Sequence, residues 1–168
     1  MSEIRNRIVN PYSMRNSRWT GNCSSTVRED GRRTFTAVDA SRLWAFAALQ
    51  GNYTDRYGNV QVAVIEHDAG VDGMPDNMNS VDWIKRGEYS PTVCWVAGAL
   101  NNKGSLYHEL QYLPGRKISV TLLGAALYTA DDWEKIEQLM ASGELPGPWF
   151  APPRDGISGQ KYPPVLMP

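Results

Sequence analysis

The chain has 168 residues, of which 42% are apolar and 21% are charged, and its formal net charge is −1. A chain of this length and composition can bury a core of its own, which excludes a disordered polypeptide and favours one globular domain. Because the charges nearly cancel, nothing points to nucleic acid as a partner. No apolar run reaches the ~20 residues that a membrane-spanning helix needs, so membrane insertion is not expected.

The charges are distributed unevenly along the chain. Residues 1–60 contain nine arginines and five acidic residues, whereas residues 121–168 contain three basic and six acidic residues. A basic beginning and an acidic end are compatible with head-to-tail contact between copies of the chain, and hence with a homo-oligomer. Ordinary solvated surface is the preferred interpretation of the same pattern.

Short β-strands are predicted over the first 66 residues. They are residues 8–9, 18–21, 23–29, 32–38, 42–49 and 59–66. Asp30-Gly31 is a hairpin signal between two of these strands. The stretch 42–49 would also suit a helix, but a strand is favoured because Gly51-Asn52 follows at once.

A long loop and further strands are predicted for the middle of the chain. Residues 67–80 are rich in Gly, Asp, Asn and Met and are predicted to be a loop, followed by a short apolar stretch at 81–84. Residues 90–100 alternate as a strand does, and the turn signal at 101–104 predicts residues 105–113 as the partner strand.

The stretch Ile118–Tyr128 is predicted to be the central strand of the fold. Ile118, Val120 and Leu122 alternate with Ser119 and Thr121, which is the pattern of a half-buried strand. From Leu123 onward both faces are apolar, which predicts that the second half is covered on both sides.

A short helix is predicted directly after this strand, from about residue 129 to 142. Thr129 followed by Asp132 resembles a capping box, and Gly143 stands where a C-terminal cap is expected. Trp133, Ile136 and Met140 follow at helical spacing. Seven to nine short strands with turns between them, and one helix, favour an antiparallel β-sandwich or barrel over residues 1–143.

The segment 144–168 is predicted to be an extended, proline-rich C-terminal arm. It holds seven of the eleven prolines, so we expect it to run extended without pairing into a sheet. Its large apolar residues favour an arm that packs on its own domain or on a neighbouring subunit, and disorder is the alternative. The candidate assembly residues are Trp149, Phe150, Tyr162 and Leu166.

The sequence contains no motif typical of an enzyme. Phosphate-binding glycine loops, HExxH and GxSxG are absent, and the acidic residues show no spacing typical of a glycosidase. Cys23 and Cys94 match no metal motif, so both are predicted to be small buried residues, with a single disulfide left open. No cofactor is expected. Asp68, Asp72 and Asp76 could offer oxygen ligands to calcium, with a plain solvated loop as the preferred interpretation.

Aromatic residues are the more informative feature. The chain has six tryptophans and eight tyrosines, and several lie in predicted loops or at strand ends. Exposed aromatic rings stack on sugars and also anchor protein interfaces. The candidate glycan-binding residues are Tyr53, Tyr57, Trp83 and Tyr89. Packing in the core or at its rim is the preferred interpretation for any one ring.

Two ends of the sequence together resemble a known group of proteins. Asn10-Pro11-Tyr12 is followed by Arg18-Trp19-Thr20, and residues 122–133 (LLGAALYTADDW) are followed by Pro148-Trp149-Phe150. These motifs are similar to those of carbohydrate-binding-module-like jelly rolls in minor tail proteins, head fibres and related surface proteins of actinobacterial phages. In that group an Asn-Pro opening precedes a Trp, and the last core strand runs into a Tyr-Thr-Ala-x-Asp-Trp segment, a short helix and a Trp-Phe pair.

The resemblance implies a jelly-roll β-sandwich and a non-enzymatic place in a phage virion. The chain departs from the usual pattern because it stands alone and ends in a proline-rich arm, which suits a small head fibre, capsid decoration or minor tail protein. Its expected partners are other virion proteins, copies of itself and host-surface polysaccharide. With no signal peptide, we expect synthesis in the bacterial cytoplasm and a final place on the virion surface. A stand-alone carbohydrate-binding module and a polysaccharide-active hydrolase are the alternatives.

Overall fold

The computed structural model describes residues 4–6, 17–21, 23–37, 43–48, 58–78, 81–101, 107–112, 117–151, 160–161 and 165–166. Within these residues the chain is mainly β, and it has one short helix. The elements are β1 (Arg5–Asn6), β2 (Ser17–Gly21), β3 (Cys23–Val27), β4 (Arg33–Ala37), β5 (Leu43–Ala48), β6 (Val60–His67), β7 (Asn77–Met78), β8 (Val81–Ser90), β9 (Val93–Leu100), β10 (Tyr107–Tyr112), β11 (Ile118–Tyr128), α1 (Ala130–Ala141), β12 (Phe150–Ala151), β13 (Gln160–Lys161) and β14 (Val165–Leu166).

Two antiparallel sheets make up most of the described structure. The larger has the strand order β3-β4-β11-β6-β9-β8, and the smaller has the order β2-β5-β10-β7. The chain crosses from one sheet to the other at both edges of the structure. It crosses from β2 to β3 at one edge and from β7 to β8 at the other. Two short pairs, β1 with β13 and β12 with β14, complete the described pairing.

The strand pairing is nested along the chain. β4 pairs with β11, β5 pairs with β10, and β6 pairs with β9. The outer and inner of these three pairs belong to the six-stranded sheet, whereas the middle pair belongs to the four-stranded sheet. These six strands therefore form three nested pairs that alternate between the two sheets.

An inner core cluster joins the two sheets. Met78, Leu110 and Tyr112 come from the four-stranded sheet. The buried residues that meet them from the six-stranded sheet are Phe35, Ala63, Ile65, Cys94, Val96, Ile118, Val120 and Leu122. The alternation predicted for Ile118, Val120 and Leu122 therefore has a direct cause, since this face of β11 is the one that packs between the sheets.

A β-bulge at Leu123 divides β11 into two halves. The register with β6 shifts between Leu122 and Gly124, which inserts one extra residue on β11. Because side chains alternate along a strand, one extra residue exchanges the two faces. Arg32 donates from its guanidinium to the Leu123 carbonyl at 3.1 Å, which satisfies a group at the irregular position.

The second half of β11 is buried on both faces, as the sequence predicts. Ala126 and Tyr128 lie in an outer cluster on the face of the six-stranded sheet that the four-stranded sheet does not cover. Helix α1 covers this face with Trp133, Ile136 and Leu139. The cluster also takes in Val60, Val62, Val64, Trp95, Ala97 and Ala99.

The helix begins and ends at the residues that the sequence indicates. The Thr129 hydroxyl accepts a hydrogen bond from the Asp132 N–H at 3.2 Å, which caps the first turn. Ser142 closes the helix, and Gly143 follows with a φ of 80°, the left-handed conformation that glycine adopts without strain. The strand, corner and helix predicted from the sequence are confirmed.

Asn6 completes the backbone pairing of the second half of β11. β4 pairs with β11 only over Ile118–Thr121, so it does not reach this half. The buried Asn6 side chain donates from Nδ2 to the Ala125 carbonyl at 3.1 Å and accepts from the Leu127 N–H at 3.0 Å. The amide thus offers β11 the donor and acceptor that a neighbouring strand would supply.

The start of the proline-rich segment packs on the chain's own domain. Leu145 and Trp149 are buried in the outer cluster, and the Trp149 Nε1 donates to the Ala125 carbonyl at 3.1 Å. The Tyr128 hydroxyl donates to the Pro148 carbonyl at 2.5 Å. Gly124 lies under the Trp149 ring, so a methyl group there would stand 2.5 Å from Cε2 of the indole.

The expectation that the proline-rich segment forms no sheet is wrong. Phe150-Ala151 pairs with Val165-Leu166, and Gln160-Lys161 pairs with Arg5-Asn6. None of these dipeptides contains proline, so each keeps the N–H groups that a ladder needs. Short proline-free dipeptides of this segment therefore pair into sheets.

Two further expectations about strands need correction. Residues 81–90 form one ten-residue strand, where the sequence indicated only a short stretch at 81–84. β10 pairs with β5 and β7, whereas the turn signal at 101–104 predicted that it would pair with β9. The reason is that β6 and β8 already occupy both edges of β9.

The two cysteines lie on strands that are far apart. Cys94 is buried on β9 within the inner core cluster, and Cys23 lies on β3 at the edge of the same sheet. Four strand spacings separate β3 from β9, or about 19 Å at ~4.8 Å each. This separation is well beyond the ~7 Å limit between the Cα atoms of a disulfide. The two cysteines therefore do not pair within one chain.

Candidate functional site

A shallow groove of about 360 Å³ lies between the edge strand β8 and helix α1. Val60 and Ala99 form its apolar floor, and Trp83 and Trp133 contribute aromatic rings. The remaining lining residues are Gly58, Lys85, Ala130, Glu134 and Glu137. The groove exists because the corner at Thr129 directs the helix back over the outer face of the sheet, beside β8.

The two tryptophans of the groove contact each other. Their ring centroids are 5.8 Å apart and the ring planes are inclined by 36°. Trp133 is buried in the outer cluster, whereas Trp83 is half-buried and keeps part of its ring at the surface. A partly exposed ring held by a buried one is a preformed apolar contact surface.

Charged groups stand at the rim of the groove. The Lys85 ammonium lies 5.1 Å from the Trp83 ring centroid and forms an ion pair with Glu137 of the helix. Glu134 is exposed and forms no ion pair with any described residue. Two carboxylates and one ammonium therefore line the groove, which carries a net negative charge.

Trp133 has a further property that bears on the groove. Its indole Nε1 is buried and has no hydrogen-bond partner among the described residues. An unsatisfied buried N–H costs about 1–3 kcal/mol. The ring is held by the apolar packing of the outer cluster despite this cost, and packing rather than hydrogen bonding fixes this wall of the groove.

Among the four predicted glycan-binding residues, Trp83 lines the groove and Tyr89 does not. The Tyr89 hydroxyl accepts a hydrogen bond from the Trp149 N–H at 3.0 Å. Its ring lies against Gly147, where a methyl group would stand 2.4 Å from Cζ. Burial raises the pKa of Tyr89, although the bond from Trp149 acts in the opposite direction. Tyr53 and Tyr57 lie outside the described residues.

The predicted assembly residues have different positions. Trp149 is 2% exposed and packs within the chain's own outer cluster. The backbone of Phe150 pairs with that of Leu166 between β12 and β14. Tyr162 lies outside the described residues. For Trp149, the arm packs on its own domain, which was one of the two arrangements expected.

The predicted calcium residues belong to a loop that is held by hydrogen bonds. The Asp72 carboxylate accepts from the Met74 N–H at 3.0 Å, and the Asp76 carbonyl accepts from the Arg86 guanidinium at 2.7 Å. Asp68 is exposed. In the part of the chain that the structure describes, no three His, Cys, Asp or Glu side chains form a group that could hold a metal ion.

A second cavity, of about 390 Å³, opens beside the first half of β11. Its lining is polar and includes Thr34, Thr121 and Ser119 together with Glu66 and His67. The hydroxyls of Thr34 and Thr121 are hydrogen-bonded to each other at 2.8 Å, and Glu66 forms an ion pair with Arg28 at 2.6 Å. Its polar groups are thus largely satisfied within the chain.

The sequence did not reveal Lys85, Trp133, Glu134 and Glu137 as residues of one site. The helical spacing of Glu134 and Glu137 places both on one side of α1, which is a usable signal. The missing information is that β8 extends beyond residue 84 and lies beside the helix. Only the tertiary packing brings Lys85 to Glu137.

Comparison of the chain with protein-family models, with curated proteins and with solved structures found no match. Within the described residues, no helix has the length and apolar character needed to span a bilayer.

Proposed function

We propose that the chain is a non-enzymatic surface protein of an actinobacterial phage virion, with a jelly-roll β-sandwich fold. In this proposal it is a head fibre, capsid decoration or minor tail protein that contributes to particle assembly and contacts host-surface glycans through the groove beside α1.

The nested strand pairing is the observation that carries the fold part of the proposal. In a jelly roll, the first strand pairs with the last and the second with the one before it, and successive pairs alternate between two sheets. The pairs β4–β11, β5–β10 and β6–β9 follow this order. β8 departs from it, because it joins β9 at the edge of the six-stranded sheet.

Three aromatic residues of the C-terminal motifs pack in one cluster, which supports the proposal. Tyr128 ends the central strand, Trp133 packs from the helix, and Trp149 packs from the segment beyond it, all in the outer cluster. Residues that are far apart in the motif thus pack in one core, which supports a structural role for the motif.

The groove supports the glycan part of the proposal. A partly exposed tryptophan with carboxylate and ammonium groups at the rim offers both ring stacking and hydrogen bonds to a sugar. Contact through one shallow groove is weak, and many copies on one particle would raise the avidity.

Particles of a phage that encodes this chain test the virion role. We expect the chain to remain with the particles through a density gradient and a high-salt wash, at a fixed ratio to the major capsid protein measured by quantitative mass spectrometry. Recovery of the chain only in the soluble fraction of the lysate would overturn the virion role.

A stand-alone carbohydrate-binding module is the second candidate, because the groove needs no particle to bind a sugar. It predicts glycan binding by the isolated chain together with absence from particles. Release of reducing ends from cell-wall polysaccharide, which we do not expect, would favour the hydrolase alternative.

A further inference from the structure

We propose that the groove beside α1 selects saccharides that carry a protonated amino group. This inference rests on the proposed glycan contact and specifies its ligand class. The groove already holds one ammonium, that of Lys85, against an aromatic ring and a carboxylate.

The position of Lys85 shows which chemical group the groove accommodates. Its Nζ lies 5.1 Å from the Trp83 ring centroid and pairs with Glu137. An aromatic face with a neighbouring carboxylate is a donor set that favours organic cations, through cation–π attraction and a charge-assisted hydrogen bond. In the unmodified chain Lys85 occupies both groups, so a ligand ammonium reaches them only where Lys85 is replaced.

Glu134 supplies the charge for a second cation. It lies three residues before Glu137 on the helix and lines the same groove. With Lys85 paired to Glu137, the Glu134 carboxylate has no ion-pair partner among the described residues. An ammonium placed there neutralises the groove, whereas a neutral sugar leaves its charge unchanged.

The shape and floor of the groove suit a saccharide. Val60 and Ala99 offer an apolar floor, and Trp83 offers part of a ring face to the C–H side of a sugar. The volume of about 360 Å³ leaves room beside the Lys85 side chain. The lining of the second cavity contains no tryptophan, tyrosine or phenylalanine, and its Glu66 is paired with Arg28, so it offers a sugar no indole or phenyl face to stack on.

A matched pair of oligosaccharides tests the selection. Glucosamine tetramers and N-acetylglucosamine tetramers have the same backbone and differ in the charge of the amino group. By isothermal titration calorimetry at low salt, we expect the charged tetramer to bind about tenfold more tightly. The preference should fall as salt is added, since the rim charges are exposed. In Glu134→Gln, we expect the two tetramers to bind with similar affinity.

Lys85→Met gives a sharper test, because it removes the internal competitor for Trp83 and Glu137. We expect this variant to bind the charged tetramer roughly fivefold more tightly and the neutral tetramer unchanged. Lys135→Met is the matched control, since Lys135 pairs with Asp132 on the same helix and does not line the groove. It removes the same charge and should leave the affinity within about twofold.

Equal binding of both tetramers by the unmodified chain would overturn the selection of amino groups and leave the glycan contact standing. Weaker binding of the charged tetramer by Lys85→Met would also overturn it, because Lys85 would then be a ligand-binding residue rather than a competitor. If neither the unmodified chain nor Lys85→Met binds either tetramer, the inference is overturned. If a screen of other glycans also detects no binding, the proposed glycan contact is overturned as well.

Discussion

The two halves of β11 differ in what covers them on the outer face of the six-stranded sheet. Before the bulge at Leu123, the outer face carries Ser119 and Thr121, whose hydroxyls bond to those of Thr36 and Thr34. After the bulge, the outer face lies under α1 and Trp149. The first half of β11 thus lines the second cavity, with its hydroxyl groups, and the second half packs in the apolar outer cluster. The extra residue at the bulge lies at the boundary between the two halves.

This difference indicates that helix α1 and the segment 144–149 stabilise the second half of β11. They bury Trp133, Trp149 and Leu145 against it, and the groove lies at the edge of this covered region. On this outer face, changes in the second half should therefore cost much more stability than changes in the first half.

The largest effect is expected for Gly124→Ala in the second half. A methyl group there would stand 2.5 Å from the Trp149 ring, so the ring must leave its position and lose its bond to Ala125. We expect a loss of about 3 kcal/mol or more in the free energy of unfolding by urea. The same change in a Trp149→Ala background should cost little, because the obstructing ring is gone. A full additional loss in that background would show that Gly124 is needed for another reason.

Asn6→Ala should have the next largest effect. It removes the donor to Ala125 and leaves the buried Leu127 N–H without its acceptor, while Trp149 still donates to Ala125. We expect a loss of about 2 kcal/mol in chemical denaturation. Ser119→Ala is the control in the first half. It removes one half-exposed hydroxyl bond and should cost less than about 1 kcal/mol. Equal losses in the two variants would contradict the difference between the halves.

Alkaline pH should destabilise the chain through Tyr128, at the end of β11, and Tyr89, which packs against the same outer cluster. Burial raises the pKa of Tyr128 and of Tyr89, so both stay neutral in the folded chain while they ionise in the unfolded chain near pH ~10. Stability is therefore complete below about pH 10 and falls above it, by up to ~1.4 kcal/mol per pH unit for each tyrosine.

Urea unfolding at about pH 9 and about pH 11 measures this dependence. The double variant Tyr89→Phe/Tyr128→Phe should show a shallower decline than the unmodified chain, because phenylalanine does not ionise. An unchanged slope would show that other groups govern the alkaline response.

The smallest effect is expected for the hydroxyl pair of the first half. Thr34→Val or Thr121→Val alone leaves one hydroxyl without its 2.8 Å partner and should cost about 1 kcal/mol. The double variant removes both hydroxyls and should cost less than the sum of the two single changes. A double-mutant cycle by thermal unfolding checks this, and additive losses would show that the two hydroxyls act independently.

The sequence predicted the parts of the fold that depend on local pattern. The alternation from Ile118 to Leu122, the loss of alternation after Leu123 and the cap at Thr129 each have a local physical cause, and each is confirmed. Strand partners depend on which edges are already occupied, so the partner of β10 was predicted wrongly. The candidate site was predicted only through Trp83, because Lys85 and Glu137 are 52 residues apart and meet only in the folded chain.

Mapping of bound amino-sugar oligomer by NMR chemical-shift changes tests the functional assignment most directly. We expect the shifts to concentrate at the Trp83 indole, Lys85, Glu134 and Glu137, with the first half of β11 unaffected. Shifts concentrated at Thr34, Thr121 and His67, beside the hydroxyl-lined cavity, would contradict the assignment of the groove as the binding site.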